Sequence, residues 1–212
     1  MEIKKNFYEH QAHTIIKNLK LRQIEAFYCS TTAEAKEKAL SYLSDGSTVG
    51  YGGSMTLEET GIMSALRSNK QIQLLDRSTC NGPDELKQLF REAFSSNVYY
   101  MSTNAITING ELVNIDGTGN RVASLIYGPD KVVIIAGMNK VATSVEEAVT
   151  RVRNVASPMN SIRLGRNTPC AVSGTCANCL SPDCVCSDIV ITRRSSIPDR
   201  IKVILVGEEL GY

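Results

Sequence analysis

The sequence has no apolar run that approaches the roughly 20 residues needed to cross a bilayer. Its opening segment, MEIKKNFYEHQ, is charged and polar, with no apolar signal segment behind it. Neither sign of charge dominates, since 23 Lys and Arg residues stand against 22 Asp and Glu residues, for a net charge of +1. These absences argue against a membrane span, a secretory leader and a nucleic-acid-binding surface, and they predict a cytoplasmic protein.

Histidine is also scarce, and the chain has no internal repeat, low-complexity linker or long charge run. His10 and His13 could share a helix face, but no third ligand lies nearby, so two solvated histidines are favoured over a metal pair. The 212 residues, 42% apolar and 21% charged, are ordinary for one soluble domain. We therefore expect a single domain over 1–212, which should bury about 70% of the surface of its unfolded chain.

Strand and helix patterns alternate along most of the chain. Short apolar segments predict strands at 26–30, 47–52, 72–76, 98–103, 131–137, 188–194 and 200–207. Between them, Thr31 or Thr32 can begin one helix, Pro83 another, and Thr143 or Ser144 a third. Asn109-Gly110 between alternating apolar residues predicts a hairpin over 106–116. This order predicts an α/β fold, with a mostly parallel sheet and helices on both of its faces.

A glycine-rich turn follows the second predicted strand, in VGYGGSMTLEETG. In an open α/β sheet, ligands bind beyond the carboxyl ends of the strands, and glycine lets the backbone approach them closely. Gly50, Gly52, Gly53 and Ser54 could therefore cradle a phosphate or carboxylate at the start of a helix. The segment matches neither G-x-G-x-x-G nor a P-loop, so a plain tight turn remains the alternative.

The segment TNAITINGELVNIDGTGNRVASLIYGPDKVVIIAGMNKV (103–141) is dense in polar residues at predicted strand ends and turns. Backbone freedom in turns explains Asn109-Gly110, but it explains Arg121 and Lys140 less well. The residues of this segment that we assign to ligand binding are Asn104, Asn120, Arg121, Asn139 and Lys140.

Together with VGYGGSMTLEETG and GTCANCLSPDCVC, this segment resembles the lactate-utilization (LUD) domain family, in a short form with a C-terminal cysteine cluster. The resemblance covers about residues 8–207 and implies a fold similar to NagB, RpiA and the CoA-transferases. It places the glycine turn at a phosphate- or acyl-binding position and makes Glu111 and Asp116, by location, the candidate base or nucleophile. It also implies a role in oxidising lactate to pyruvate beside iron–sulfur partner proteins.

In this interpretation Arg121 holds a carboxylate or phosphate in a two-pronged way, and Lys140 supplies a second positive charge. Asp116 or Glu111 acts as acid or base, with a pKa raised by burial. The ligand would be a small anionic metabolite, such as a 2-hydroxy acid, a sugar phosphate or an acyl-CoA. In the structural alternative, Asp116 pairs with Arg121 and fixes the loop, and Glu111 is an exposed strand residue.

Five of the seven cysteines lie close together near the C-terminal end: Cys170, Cys176, Cys179, Cys184 and Cys186. A reducing compartment disfavours disulfides, and four thiolates suit zinc or an iron–sulfur cluster. The spacing matches neither the ferredoxin run nor a pair of separated zinc knuckles. The lactate pathway implied by the resemblance favours an iron–sulfur cluster over zinc, and redox-active or incidental thiols remain open. Cys29 is expected to be buried packing.

Three functions remain open. An enzyme or enzyme subunit of organic-acid metabolism should bring Arg121, Asp116 and Ser54 to one cleft. A metal-bearing accessory or redox module without turnover should expose its cysteines on a face with an apolar rim. A regulatory domain that senses a metabolite should have a closed anion site with no acid or base in reach. Related folds commonly form homo-oligomers, which we also expect here.

Overall fold

A six-stranded sheet forms the centre of the protein, whose structure is a computed structural model that describes residues 2–212. The expected domain, 1–212, begins at Met1, which lies outside these residues. The ten strands are β1 (Glu25–Cys29), β2 (Thr48–Tyr51), β3 (Gln73–Leu74), β4 (Val98–Ser102), β5 (Ala105–Thr107), β6 (Leu112–Asp116), β7 (Lys131–Gly137), β8 (Val141–Ala142), β9 (Asp188–Thr192) and β10 (Ile201–Val206). The central sheet has the order β1-β10-β7-β4-β2-β3, and all its pairs are parallel.

The helices begin where the sequence provides capping groups. They are α1 (Glu2–Leu21), α2 (Thr32–Leu40), α3 (Met55–Glu59), α4 (Ile62–Ser68), α5 (Pro83–Glu92), α6 (Asn120–Ile126), α7 (Val145–Arg151), α8 (Ser157–Arg163) and α9 (Pro169–Ser173). The Thr31 hydroxyl accepts from the Glu34 amide at the start of α2, and Ser144 does the same for Glu147 at α7. Pro83 opens α5, as predicted. No helix among residues 2–212 has both the length and the apolar character needed to cross a membrane.

Both faces of the central sheet are covered. On one face, Tyr99 and Ile134 pack in a cluster with Ile15 and Leu19 of α1. On the other, alternate residues of the same strands, such as Tyr100, pack with residues of α2, α3 and α4. Because the strands are buried on both sides, they are almost continuously apolar. The prediction of a mostly parallel α/β sheet between helices is confirmed.

A second sheet, of order β8-β5-β6-β9, was not separated from the first by the sequence patterns. The predicted hairpin is confirmed, since β5 and β6 pair antiparallel and Gly110 has the positive φ of 89° that its turn requires. β9 then pairs antiparallel with β6, and β8 pairs parallel with β5. This sheet carries the end of β6 to the carboxyl edge of the central sheet, where a cleft opens.

A buried arginine holds α6 against the central sheet. Arg200 is 8% exposed. Its guanidinium donates hydrogen bonds of 2.8 to 2.9 Å to the carbonyl oxygens of Ser124, Leu125 and Pro129. Two of these carbonyls belong to the last turn of α6, where a cation also interacts favourably with the helix dipole. Burial lowers the pKa of Arg200 from its ordinary value.

We expect Arg200→Met to lower the free energy of unfolding by about 3 kcal/mol, because it leaves three buried carbonyls without donors. Arg200→Lys should lose less, since one ammonium group retains the charge and some of the bonds. Urea denaturation measures both, with Arg91→Met on exposed α5 as the matched control. A value for Arg200→Met equal to that of the control would contradict this role.

Candidate functional site

A cleft of about 360 Å³ lies beyond the carboxyl ends of β2, β4 and β6. Its walls come from the turn after β2, the residues after β4, the end of β6 and the start of α6. Residues 160–166, the cysteine-rich segment at 182–185, and the chain after β10 complete it. Parallel strands present their carboxyl ends at one edge, which explains why segments so distant in sequence meet there.

The lining of the cleft is rich in positive charge. Five basic side chains stand against two carboxylates, those of Asp116 and Asp183. The basic residues are Arg77, Arg121, Lys140, Arg163 and Arg166. Such an excess in a concave site favours an anionic ligand.

Arg121 is engaged by the protein itself. Its terminal nitrogens donate hydrogen bonds of 2.6 to 3.2 Å to Ser102 O, Asn114 Oδ1, Asn104 Oδ1 and Ile115 O. Its Nε lies 3.2 Å from Asp116 Oδ2. Burial lowers the pKa of Arg121, and the charge of Asp116 opposes that shift. The guanidinium edges expected to grip a ligand are thus occupied, and the arrangement matches the alternative in which Arg121 fixes the loop.

The two oxygens of Asp116 are bound differently. Its Oδ1 accepts hydrogen bonds from the amides of Thr118 and Gly119, at 3.2 and 3.0 Å. Its Oδ2 is buried and forms the ion pair with Arg121 Nε at 3.2 Å, but no donor in the part of the chain that the structure describes meets it with good hydrogen-bond geometry. This oxygen retains capacity to accept, so it is a candidate partner for a ligand hydroxyl or proton.

Lys140 is 3% exposed, although it lines the cleft. Its Nζ donates to Thr56 Oγ1 at 2.8 Å and to Ser102 Oγ at 2.9 Å. Across residues 2–212, no carboxylate lies within ion-pair distance of this amine. Burial, and then the charges of Arg151 and Arg121, lower its pKa from 10.5 to about 7. Lys140 is therefore the most chemically perturbed group of the cleft.

The glycine turn contributes only in part to the cleft. Gly53 and Ser54 line it, but Gly50 and Gly52 do not. A Cβ on Gly52 would lie 2.8 Å from the Arg121 side chain, so glycine is required there by close packing. The Ser54 hydroxyl caps α3, a helix of only five residues. The turn thus forms part of one wall of the cleft. It does not provide the N-terminus of a long helix for binding an anion.

The other predicted residues divide between the cleft and its surroundings. Asn104 and Asn120 line the cleft. Asn139 lies outside the lining, where its Oδ1 accepts from the Leu210 amide at 3.1 Å and so holds the chain after β10. Glu111 also lies outside it, because Arg22 of α1 pairs with its carboxylate. The structure brings Asp116 to the cleft and leaves Glu111 in an ion pair at the hairpin.

Several lining residues were not identified from the sequence. The position of Arg77 could have been recognised from the sequence, because it closely follows β3 and so lies at the edge of the sheet where the other strands end. The sequence offers no comparable signal for Arg163, the last residue of α8, or for Arg166, which follows that helix, because both reach the cleft only through tertiary packing. Arg163 Nε donates to Tyr212 Oη at 2.5 Å, which joins α8 to the chain after β10.

The cysteine-rich segment forms one side of the same cleft, at Cys184 and its neighbours. All seven cysteines are free thiols. Cys170 is buried against Thr168 and Ser161, whereas Cys184 accepts from the Cys186 amide at 3.4 Å. Burial, with Cys184 and Cys170 nearby, raises the pKa of Cys186.

The thiols of the cysteine-rich segment suit zinc or iron in their chemistry. Over residues 2–212, no three Cys, His, Asp or Glu side chains are placed so that they could hold a metal ion. The four-thiolate site therefore stays a prediction from the sequence.

The family model of the LUD domain matches residues 12–206. The chain belongs to the LUD domain family. The resemblance drawn from the sequence is thus confirmed, and it spans the central sheet, the hairpin and the cysteine-rich segment. Comparison of this LUD domain with curated proteins found no match.

A solved structure shares the fold of the LUD domain, and others resemble part of it. A DUF162 family protein from Deinococcus radiodurans is 13% identical, with a TM-score of 0.52 over 95% of this chain and 98% of that one. Ribose 5-phosphate isomerase A from Neisseria gonorrhoeae is 19% identical, with a TM-score of 0.34 over 55% and 56% of the two chains. eIF2B delta from Chaetomium thermophilum is 19% identical, with a TM-score of 0.34 over 54% of this chain and 49% of that one.

We expect Lys140 to make stability depend on pH in a defined direction. Below pH 7 the amine is charged in both states, and its burial costs stability. Between about 7 and 10.5 only the unfolded chain binds the proton, so the free energy of unfolding rises with pH.

The measurement is urea denaturation of the wild type and of Lys140→Met across this range. The free energy of unfolding of the wild type, relative to that of Lys140→Met, should increase by on the order of 3 kcal/mol as the pH rises. If the two free energies differ by the same amount at both ends of the range, Lys140 keeps its ordinary pKa.

Proposed function

We propose that the cleft of this LUD domain binds a small organic anion, a 2-hydroxy or 2-oxo acid, as a component of lactate-related metabolism. The observation that carries the proposal is the group of exposed arginines around one cavity, Arg77, Arg163 and Arg166, since Arg121 is paired with Asp116 and Lys140 has a lowered pKa. Membership of the LUD family supports this choice of pathway, because the resemblance to that family implies a role in lactate utilization. A volume of about 360 Å³ lies within the range of small-molecule sites.

The exposed basic residues are the groups that would meet the ligand first. Arg77 is exposed and has no carboxylate within ion-pair distance in the described chain. Arg166 Nη1 lies 3.9 Å from Asp183, a long contact between half-exposed groups, which is weak. Arg77 and Arg166 can therefore turn toward a carboxylate without breaking a strong interaction. Lys140 and Asp116 Oδ2, deeper in the cleft, would contact the reacting end of the ligand.

Arg77→Gln should weaken binding of pyruvate and L-lactate about tenfold, or about 1.4 kcal/mol, because one charged contact is lost. Isothermal titration calorimetry measures the effect. Arg91→Gln, an exposed arginine of α5 outside the cleft, is the matched control and should bind as the wild type does. Inorganic phosphate serves as a competitor that tests for any anion. Equal affinities for the two variants would contradict the cleft as the binding site.

A second candidate function is a metal-bearing accessory module that exchanges electrons with iron–sulfur partner proteins in the cytoplasm. The observation in its favour is apolar exposure around the cysteine-rich segment, since Val172 is 87% exposed and Leu180 is 100% exposed. An apolar rim suits a transient docking surface. In this candidate Cys170, Cys176, Cys179, Cys184 and Cys186 supply the ligands, which requires the segment to rearrange around an iron–sulfur cluster or zinc.

Protein purified without oxygen tests this second candidate. We expect iron, acid-labile sulfide and a brown colour, all lost in Cys176→Ser and kept in Cys80→Ser. Zinc without colour would indicate a structural site and remove the electron-transfer role. A chain without metal would contradict the candidate altogether. Size-exclusion chromatography of the same samples shows whether the protein is the expected homo-oligomer.

A further inference from the structure

The hydrogen bonds around Lys140 fit a neutral amine. Thr56 Oγ1 and Ser102 Oγ lie within hydrogen-bond distance of Nζ, and each can donate its own hydrogen to a carbonyl oxygen, that of Leu210 at 3.4 Å and that of Thr103 at 3.2 Å. With their hydrogens on these carbonyls, both hydroxyls accept from Lys140. A neutral amine has two N–H groups for these two acceptors, whereas an ammonium has a third that finds no protein acceptor in the described chain.

The surroundings of Lys140 also oppose a positive charge. Arg121 and Arg151 face the amine, and each is held in place, Arg151 by hydrogen bonds to the carbonyl oxygens of Asn104 and Asn139. Glu59, the one acidic group that acts on Lys140, has an exposed side chain and accepts from the Gly211 amide. With the pKa lowered to about 7, a large fraction of the amine is unprotonated at neutral pH.

We propose that Lys140 is a nucleophile that forms an imine with the carbonyl carbon of a 2-oxo acid bound in the cleft. This rests on the anion-binding function proposed above and names the substrate class of that site. With both N–H groups donated to hydroxyls, the nitrogen lone pair is left without a partner. Lys140, Thr56 and Ser102 line the same cavity, where a bound 2-oxo acid would meet this lone pair.

The reaction balances without an oxidant or a further reactant. The amine nitrogen bonds to the carbonyl carbon, and a carbinolamine forms as one amine proton moves to the oxygen. The carbon–oxygen bond then breaks, and that oxygen leaves as water with the second amine proton. Thr56 and Ser102, which hold both protons, are placed to pass them on. The carboxylate of the acid would pair with the exposed arginines of the cleft, such as Arg77.

The test is trapping with sodium cyanoborohydride in the presence of pyruvate, followed by peptide mapping. We expect one reduced adduct per chain, at Lys140, with glyoxylate reacting in the same way. The ratio of adduct at Lys140 to adduct at a surface lysine should be highest near pH 7 and should fall as the pH rises toward the higher pKa of the surface amine, and the pH dependence of the reducing agent cancels from this ratio. Lys202, which pairs with Glu25, is the internal control and should stay unmodified.

Lys140→Met keeps the length of the side chain without an amine or a charge, so it should lose the adduct while circular dichroism shows the wild-type fold. Calorimetry with pyruvate on the wild type separates the two proposals. Binding of pyruvate without an adduct at Lys140 would overturn the imine and leave the anion cleft standing. Neither binding nor adduct would overturn both. Equal adduct yields in the wild type and Lys140→Met would place the reaction on surface lysines and also overturn the proposal.

Discussion

The buried guanidinium of Arg121 is the constraint on which the cleft depends. A guanidinium keeps its proton in proteins, so each buried N–H must find an acceptor or the fold loses stability. Arg121 finds them on two sheets, at Ser102, the last residue of β4, and at Asn114 and Ile115 of β6. The same side chain packs so closely on Gly52 that no Cβ fits there. One residue thus fixes how the hairpin sheet meets the central sheet.

Lys140 lies near this network but has the opposite electrostatic environment. Arg121 has an adjacent carboxylate, that of Asp116, and the protein uses its donors fully. Lys140 has two hydroxyls and no carboxylate, so burial shifts the amine toward its neutral form. A paired cation stabilises a wall, whereas an unpaired and nearly neutral amine is chemically reactive. This difference supports a functional role for Lys140 and a structural role for Arg121.

Most of the fold could be predicted from local patterns, because strand and helix periods and turn residues act over a few positions. The hairpin at Asn109-Gly110 is such a case. Partner choice acts over long separations, and the pairing of β9 with β6 leaves no local signal. The two candidate carboxylates show the same limit. Glu111 and Asp116 lie close in sequence, yet Arg22, far away in α1, removes Glu111 from the cleft.

By itself, the sequence determined that this is an α/β protein of the LUD family with polar residues after its strands. Parallel strands end at one edge, so Ser54 after β2 and Lys140 after β7 had to lie near one another. Asp116 ends a strand of the second sheet, and the tertiary structure brought it to them. Only the tertiary structure decided which charges are paired, which are buried and which face the cavity. Hydrogen bonding and desolvation depend on neighbours distant in sequence, and these neighbours placed Arg121 in the wall and left the Lys140 amine without a carboxylate.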